Sequence, residues 1–329
     1  MGKIYKWGII GPGKIAQKFA AALALVPDAC LHAVASRDIE KAKAFAQTWS
    51  APVWYGSYEA LAADDSLDAV YIATPHTFHH AHVMLCLRSK KAVLCEKPMS
   101  VDYASTLAMV NTARQNGVFL MEAMWTRFLP IIEKTLELIQ QGEIGELKYL
   151  RADFGFVAPY NAGSRLYDMQ LGGGAQLDIG VYPLFLALLL MGKPDAVKSF
   201  SALAPGGADE STSVLLYYKN GNMAHIHSSI VAQTPISAEI TGTAGAISLL
   251  RPWYKGTRLQ VRKADAVTAD CSLPYSDNGF EFQVKEVQDC LQRGLTESEK
   301  LPLDFSLLLS SVSHEICMQS NLAYKLQSS

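Results

Sequence analysis

Four short stretches hold the residue types from which a reactive site can be built. Gly11-Pro12-Gly13-Lys14-Ile15-Ala16 has the spacing G-x-G-x-x-A. Two glycines and a small residue at those offsets permit a tight turn, a close backbone approach and close packing behind it, the requirements of a loop that wraps phosphates. Ala73-Thr74-Pro75-His76-Thr77-Phe78-His79 and Cys95-Glu96-Lys97-Pro98 each set polar side chains beside a proline. A lysine held between an apolar run and a proline can present an ammonium that polarises a carbonyl or orients a hydroxyl. The fourth stretch, Gly172-Gly173-Gly174 followed by Asp178 and Tyr182, puts a carboxylate and a phenol four residues apart. On a helix they would share a face.

The surrounding elements must position these groups. The pattern predicts strands over 4–10, 31–36, 53–55, 68–73, 92–95 and 119–121. Between them it predicts helices over 14–25, 38–49, 57–63, 79–89 and 101–116, with Asp38 and Ser57 as N-caps. Strict alternation of helices with strands this apolar implies a doubly wound parallel sheet covered on both faces. The glycine turn therefore follows a strand and opens a helix, the setting in which G-x-G-x-x-A binds a dinucleotide. Gly11, Gly13, Lys14 and Ile15 are expected at its phosphates. Thr74, Pro75, Glu96 and Lys97 fall at other strand ends of the same sheet, where such folds bind ligands.

Beyond residue 122 the texture changes. A helix over 130–141 and a turn at 142–145 lead into strands over 147–156, 196–203, 211–219, 223–231, 237–241 and 246–250. Lys219-Asn220-Gly221-Asn222 is a strong hairpin signal, so antiparallel pairing is expected. Helices are expected over 174–191, 280–293 and 305–326. The chain reads as a dinucleotide-binding domain over 1–122 and an α+β domain on a mostly antiparallel sheet over 123–329.

Composition narrows the function. In 329 residues, half are hydrophobic, 18% are charged and the net charge is -2. That is globular composition without the basic excess of a nucleic-acid binder or an anionic-membrane binder. The apolar run 183–191 is about half of what spans a bilayer and reads as a buried helix. Six cysteines form no C-x-x-C pair, which suits reduced thiols in the cytoplasm. Met1-Gly2-Lys3-Ile4-Tyr5-Lys6 is no signal peptide, and Lys6 breaks the myristoylation pattern that Gly2 invites. His79 and His82 have the spacing of one helix face, but no carboxylate or cysteine set completes a metal site, and none is expected.

The end of the second strand selects the dinucleotide. NAD-binding turns usually carry an acid there for the ribose 2′-hydroxyl, whereas this chain reads Ala35-Ser36-Arg37. Ser36 and Arg37 favour NADP over NAD, because Arg37 can clamp a 2′-phosphate. Asp38, one residue later, is read as a helix cap.

Taken together, Gly11 to Ala16, Thr74-Pro75 with His79, Glu96-Lys97-Pro98, and Gly172 to Gly174 leading to Asp178 resemble the glucose–fructose oxidoreductase, inositol dehydrogenase and rhizopine-catabolism (Gfo/Idh/MocA) family. The resemblance runs along essentially the whole chain. It implies an N-terminal Rossmann domain, a C-terminal domain with a large open-faced sheet, a substrate cleft between them, and homodimers or homotetramers built on that sheet. The family commonly places a histidine four residues after the aspartate, whereas this chain has Tyr182. That departure, Met121 to Phe128, and Ser36-Arg37 are similar to the branch of dimeric dihydrodiol dehydrogenases and their bacterial relatives, which prefer NADP. The branch implies oxidation of dihydrodiols and some pentoses, and reduction of dicarbonyls.

The chemistry also has its own argument. Hydride transfer to or from a hydroxyl-bearing carbon needs a proton partner for the oxygen. A phenol titrates near pH 10, about three units above neutrality, and a neighbouring ammonium favours the phenolate. Tyr182 is thus the expected general acid/base, Lys97 its electrostatic partner, and Asp178 a hydrogen-bond partner of a substrate hydroxyl. By analogy with the branch, Trp125, Phe154 and Phe280 are expected to shape the substrate pocket. Arg127 is a candidate hydroxyl anchor or a partner of Glu122, and His79 is expected at the nicotinamide end. The leading reading is an NADP-preferring dehydrogenase or reductase of a small diol, sugar or carbonyl compound. The alternatives are an NAD-dependent sugar or inositol dehydrogenase, and a non-catalytic dinucleotide sensor.

Overall fold

The computed structural model describes residues 3–264 and 266–327, so Gly2 lies outside the described residues. The chain divides into two compact units. The first comprises residues 1–125, 277–307 and 326–329; the second comprises residues 126–276 and 308–325. The pattern of the sequence carries no sign of the return to the first unit after residue 276.

In the first unit the strands are β1 (Tyr5–Ile10), β2 (Ala29–Ala35), β3 (Val53–Tyr55), β4 (Ala69–Ile72), β5 (Ala92–Glu96) and β6 (Leu120–Ala123). They form one parallel sheet in the order β3-β2-β1-β4-β5-β6. The order reverses between β1 and β4, so a crevice opens at their carboxyl ends. The helices between them are α1 (Lys14–Leu23), α2 (Ile39–Thr48), α3 (Tyr58–Ala62), α4 (His79–Arg88) and α5 (Tyr103–Asn116). Both expected caps form: the Asp38 carboxylate accepts from the Glu40 and Lys41 amides, and the Ser57 hydroxyl accepts from the Ala60 amide. Asp102 caps α5 in the same way. The interior is continuous from Ile10 and Ile72 through Val93 and Cys95 to Met109, Val110 and Leu303. At roughly 1.5–3 kcal/mol per fully buried aliphatic side chain, this core is what holds the strand ends in place.

A 3-10 turn over Trp125–Phe128 leads into the second unit, whose first helix is α6 (Pro130–Gln140). Its strands are β7 (Leu147–Gly155), β8 (Ala196–Leu203), β9 (Asp209–Tyr217), β10 (Met223–Ser229), β11 (Ala238–Gly242), β12 (Ala246–Leu249), β13 (Arg258–Lys263) and β14 (Ala266–Ser272). They pair in the order β14-β13-β12-β11-β7-β10-β9-β8. Only the β7–β10 pair is parallel. The hairpin joining β9 to β10 forms as expected, turning at Asn220 to Asn222. The pattern missed β13, where only Leu259 and Val261 are apolar and buried among polar residues, and β14, which is mostly exposed and has no apolar alternation.

The helix expected over 174–191 proves longer and less regular. A 3-10 turn at Met169–Leu171 and a π turn at Gln176–Gly180 precede α7 (Val181–Met191). Residues 169–191 are long and apolar enough to cross a membrane by length and composition, exceeding the half-span expected from 183–191. Of that apolar window 78% is buried inside the protein, as in a core helix. The remaining helices are α8 (Glu281–Gln292) and α9 (Leu303–Gln319). The last helix stops at Gln319 rather than 326: the Leu322 amide turns back to the Cys317 carbonyl, and Asn321 has φ 55°.

Candidate active site

The first unit brings its sequence motifs to neighbouring strand ends. The Gly11-Gly13 turn follows β1, Ser36 follows β2, Thr74-Pro75 follows β4, and Lys97 follows β5. Gly11 has φ +90°, and a Cβ there would lie 2.8 Å from the Thr74 side chain and 3.0 Å from its amide. The two strand ends at the crevice therefore touch through a position only glycine fills. A Cβ on Gly13 would meet nothing within 4 Å. Gly13 is also the N-cap of α1, with no side chain closing the helix and no acid in its first turn. Open space, free N–H groups and the positive end of a helix dipole fit the pyrophosphate of a dinucleotide. Lys14 is exposed beside this turn and Ile15 is half-buried.

At the end of β2, Ser36 is buried and its hydroxyl accepts from the Asp38 amide. Asp38 is committed to capping α2, while Arg37 is exposed with its guanidinium 5.5 Å over the Phe78 ring. Phe78 in turn stacks on His82, with centroids 6.0 Å apart. The Thr74 hydroxyl and His82 Nδ1 are 3.0 Å apart. Burial pushes His82 down to about 4, with His79 and Arg37 adding repulsion.

Two residues expected at the cofactor turn inward instead. Glu96 is 4% exposed; one carboxylate oxygen accepts from the Tyr71 hydroxyl on β4 and the other from the Lys97 amide. Tyr71 stacks on Phe19 of α1 at 3.8 Å. Glu96 thus ties β5 to β4, because a buried carboxylate needs every partner it can reach. His79 is fully buried, with Nδ1 2.9 Å from the Pro98 carbonyl and Nε2 2.9 Å from the Thr74 carbonyl. Burial pushes its imidazole down to about 4, the two carbonyls opposing. Lys97, in a cis peptide with Pro98, is 8% exposed. Trp125 and Phe280 stack at 4.9 Å and are both buried.

In the second unit, the helical path carrying Asp178 and Tyr182 starts from a glycine cradle. Gly174 has φ +116°, and a Cβ there would lie 2.1 Å from Asp209 Oδ1. Asp209 is fully buried, and its other oxygen accepts from the Gln176 amide at 2.7 Å and the Thr212 hydroxyl at 2.7 Å. The Tyr324 hydroxyl donates to the Gly173 carbonyl at 3.0 Å. Burial pushes both Asp209 and Tyr324 upward. Asp178 pairs with Arg165 at 3.0 Å, the carboxylate side chain 14% exposed and the guanidinium 41%. Tyr182 is 6% exposed and leans on two rings, Phe154 at 5.7 Å and Tyr254 at 5.3 Å. Phe154 and Tyr254 stack on each other at 4.1 Å. Arg127 is buried and pairs with Glu133 at 2.8 Å rather than with Glu122. Glu133 lies on the first turn of the following helix, within reach of the guanidinium fork.

Sequence reasoning missed Tyr254, Arg165, Asp209 and Tyr324. Tyr254 sits on a short 3-10 turn anchored by Trp253, whose indole N–H donates to the Asp153 carbonyl. Nothing local marks such a turn; only the pairing of distant segments brings Tyr254 to Tyr182. The Asp209 partnership spans 33 residues to Gln176 and is equally invisible to local pattern.

Comparison with known proteins adds to this geometry. A family model described as "Oxidoreductase family, NAD-binding Rossmann fold" matches residues 5–124, and one for the "GFO/IDH/MocA C-terminal domain" matches residues 132–248. The trans-1,2-dihydrobenzene-1,2-diol dehydrogenase of Xenopus tropicalis is 38% identical over 328 residues, covering 97% of this chain and 99% of the relative. Its Homo sapiens counterpart is 38% identical over 323 residues, covering 94% and 95%. Among solved structures, a 3-ketoreductase from Actinomadura kijaniata in complex with NADP and TDP-benzene superimposes with TM-score 0.85 at 25% identity, over 96% of this chain and 98% of that one. An aldose-aldose oxidoreductase from Caulobacter crescentus shares the fold with TM-score 0.87 at 22% identity, over 97% and 98%.

Proposed function

We propose a reaction from one premise: this chain belongs to the Gfo/Idh/MocA oxidoreductase family and is an NAD(P)-dependent oxidoreductase. The reaction we propose is reversible hydride transfer between NADP and a small diol, sugar or carbonyl compound, in the manner of the dihydrodiol dehydrogenases it resembles. The observation that carries it is the turn at Gly13, open to solvent at an uncapped helix start on the switch point of a parallel sheet.

Gly11, Gly13, Lys14 and Ile15 would hold the pyrophosphate, and Thr74-Pro75 would line the same crevice. Arg37 would hold the 2′-phosphate; Asp38 supports this reading, since its carboxylate is occupied by the helix cap and by Lys41, which offsets its charge. The bound nicotinamide supplies the hydride acceptor or donor. Lys97 orients the substrate oxygen by its charge. Tyr182 passes the proton to and from that oxygen, and Asp178 accepts a hydrogen bond from a neighbouring hydroxyl. Phe154, beside Tyr182, presents an apolar wall that suits a cyclic substrate.

We also place the chain in the cytoplasm as a homodimer or homotetramer. Six free cysteines support the first. An outward apolar row on the second unit's sheet, with Phe200 82% and Leu215 55% exposed, supports the second.

The test is nicotinamide absorbance with purified protein, using NADP⁺ and NAD⁺ against cyclic diols and aldopyranoses, and NADPH against dicarbonyls. Turnover with NADP⁺ is expected. Arg37→Ala should raise KM for NADP⁺ about 10- to 100-fold, the loss of one charge-assisted fork of ~1.5–3 kcal/mol, and leave KM for NAD⁺ nearly unchanged. Equal changes for both cofactors would remove Arg37 as the selector. Cofactor binding without turnover on any substrate would favour the sensor.

A further inference from the structure

The peptide unit between Pro98 and Met99 is gripped at both ends by buried side chains. His79 Nδ1 is 2.9 Å from its carbonyl oxygen, and Glu122 Oε1 accepts from its N–H at 2.9 Å. His79 stands at the start of α4 and Glu122 lies in β6, so the two grips come from opposite sides of the strand end that carries Lys97. The other nitrogen of His79 faces the Thr74 carbonyl, so one imidazole spans the ends of β4 and β5. His79 is wholly buried and Glu122 is 2% exposed, so water cannot replace either grip.

We propose that His79 and Glu122 are positioning residues for Lys97: they clamp the Pro98–Met99 peptide plane and thereby aim the lysine that precedes it. This rests on the reading of Lys97 as the group that orients the substrate oxygen. It departs from the expectation of His79 at the nicotinamide, because the imidazole is wholly buried with a backbone carbonyl 2.9 Å from each ring nitrogen.

The chemistry agrees with a clamp. A backbone N–H and C=O buried together need a donor and an acceptor, and a lost partner leaves an uncompensated polar group. Burial pushes the Glu122 carboxyl up, and the nearby Ser306 hydroxyl, the Met99 N–H and the Lys97 ammonium pull it back down. Lys97 also bears on the titration of His79. The ammonium is therefore near enough to feel both clamp residues. A shift of about 1 Å at a catalytic group costs on the order of 100-fold in rate, so small releases of this peptide are visible in turnover.

The experiment is a double-mutant cycle with a second, activity-free readout. E122L and H79L are made in the native chain and in a K97M background. Each alone should lower kcat about 10- to 100-fold, with substrate KM changed less than kcat. In the K97M background neither should cost more than about twofold, because a residue acting through Lys97 has nothing left to position. Equal losses in both backgrounds would overturn the clamp and leave a merely structural role. Independently, hydrogen exchange of the Met99 amide should accelerate at least about tenfold in E122L, as expected for an amide stripped of its acceptor; an unchanged rate overturns the clamp whatever Lys97 does. A K97M enzyme with near-native turnover would instead sink the reading of Lys97, a separate outcome. E122Q and H79Q, which keep one acceptor and one donor, carry the same cycle if the leucine variants do not fold, and should restore most of the lost turnover.

Discussion

Tyr182 is a phenol with almost no solvent, leaning on the stacked rings of Phe154 and Tyr254. Such packing holds the ring in place. If Tyr182 moves the proton, Tyr182→Phe should lower kcat by about 10²- to 10⁴-fold while cofactor affinity stays put, since a proton shuttle is worth that much. Single-turnover absorbance with bound NADP⁺ checks it. Turnover within a few-fold of the native enzyme would reduce Tyr182 to a wall of the pocket. Asp178 is held by Arg165, a partner 13 residues earlier, so Asp178→Asn should also loosen the loop carrying Arg165.

At the scale of elements, the helix α4 is tied to the sheet by histidines rather than by apolar residues alone. His82 lies between Tyr58 and Phe78 and bonds the Thr74 hydroxyl. Burial has lowered it from the usual 6.5 to about 4. The sign follows: the unfolded chain takes up the proton first, so stability is full above pH 6.5 and falls as the pH drops toward 4. The loss approaches on the order of 3 kcal/mol for one such group. Tm should therefore fall between pH 7 and pH 4.5, and His82→Gln should flatten that slope. A variant whose Tm follows the native slope would show that other groups set the acid limit. The same helix N-terminus bears His79, so the acid limit and the strand-end geometry share one element.

For the whole molecule, the sheet of the second unit has one face that carries a set of exposed apolar side chains. Phe200, Leu215, Tyr217, Met223 and Tyr149 are all exposed there at 38% or more. Isolated exposed apolar residues are ordinary, but a contiguous set on one sheet face marks an interface. If copies pair through this face, Phe200→Glu with Leu215→Lys should convert the assembly to monomers in sedimentation velocity, with the fold retained by circular dichroism. A double variant that sediments with the native protein would move the interface elsewhere. A native protein that is already monomeric would leave the face without that role.

What the sequence determined by itself was whatever depends on neighbours along the chain. The alternation of helix and apolar strand, the turn from Gly11 to Ala16, the caps at Asp38 and Ser57, and the β9–β10 hairpin are all local, and local chemistry decides them. The strands β13 and β14 at one end of the sheet escaped because they offer few apolar positions, and α9 was overextended because no glycine or proline follows Gln319 to mark its end. What only the tertiary structure decided was where the polar groups at those strand ends point. Glu96 and His79 look like ligand contacts in sequence, yet each is drawn inward by partners 25 and 19 residues away. The reason is desolvation: a buried carboxylate or imidazole is tolerated only where distant backbone and side chains meet its hydrogen-bonding needs. That match is set by how strands stack in space, not by their order along the chain.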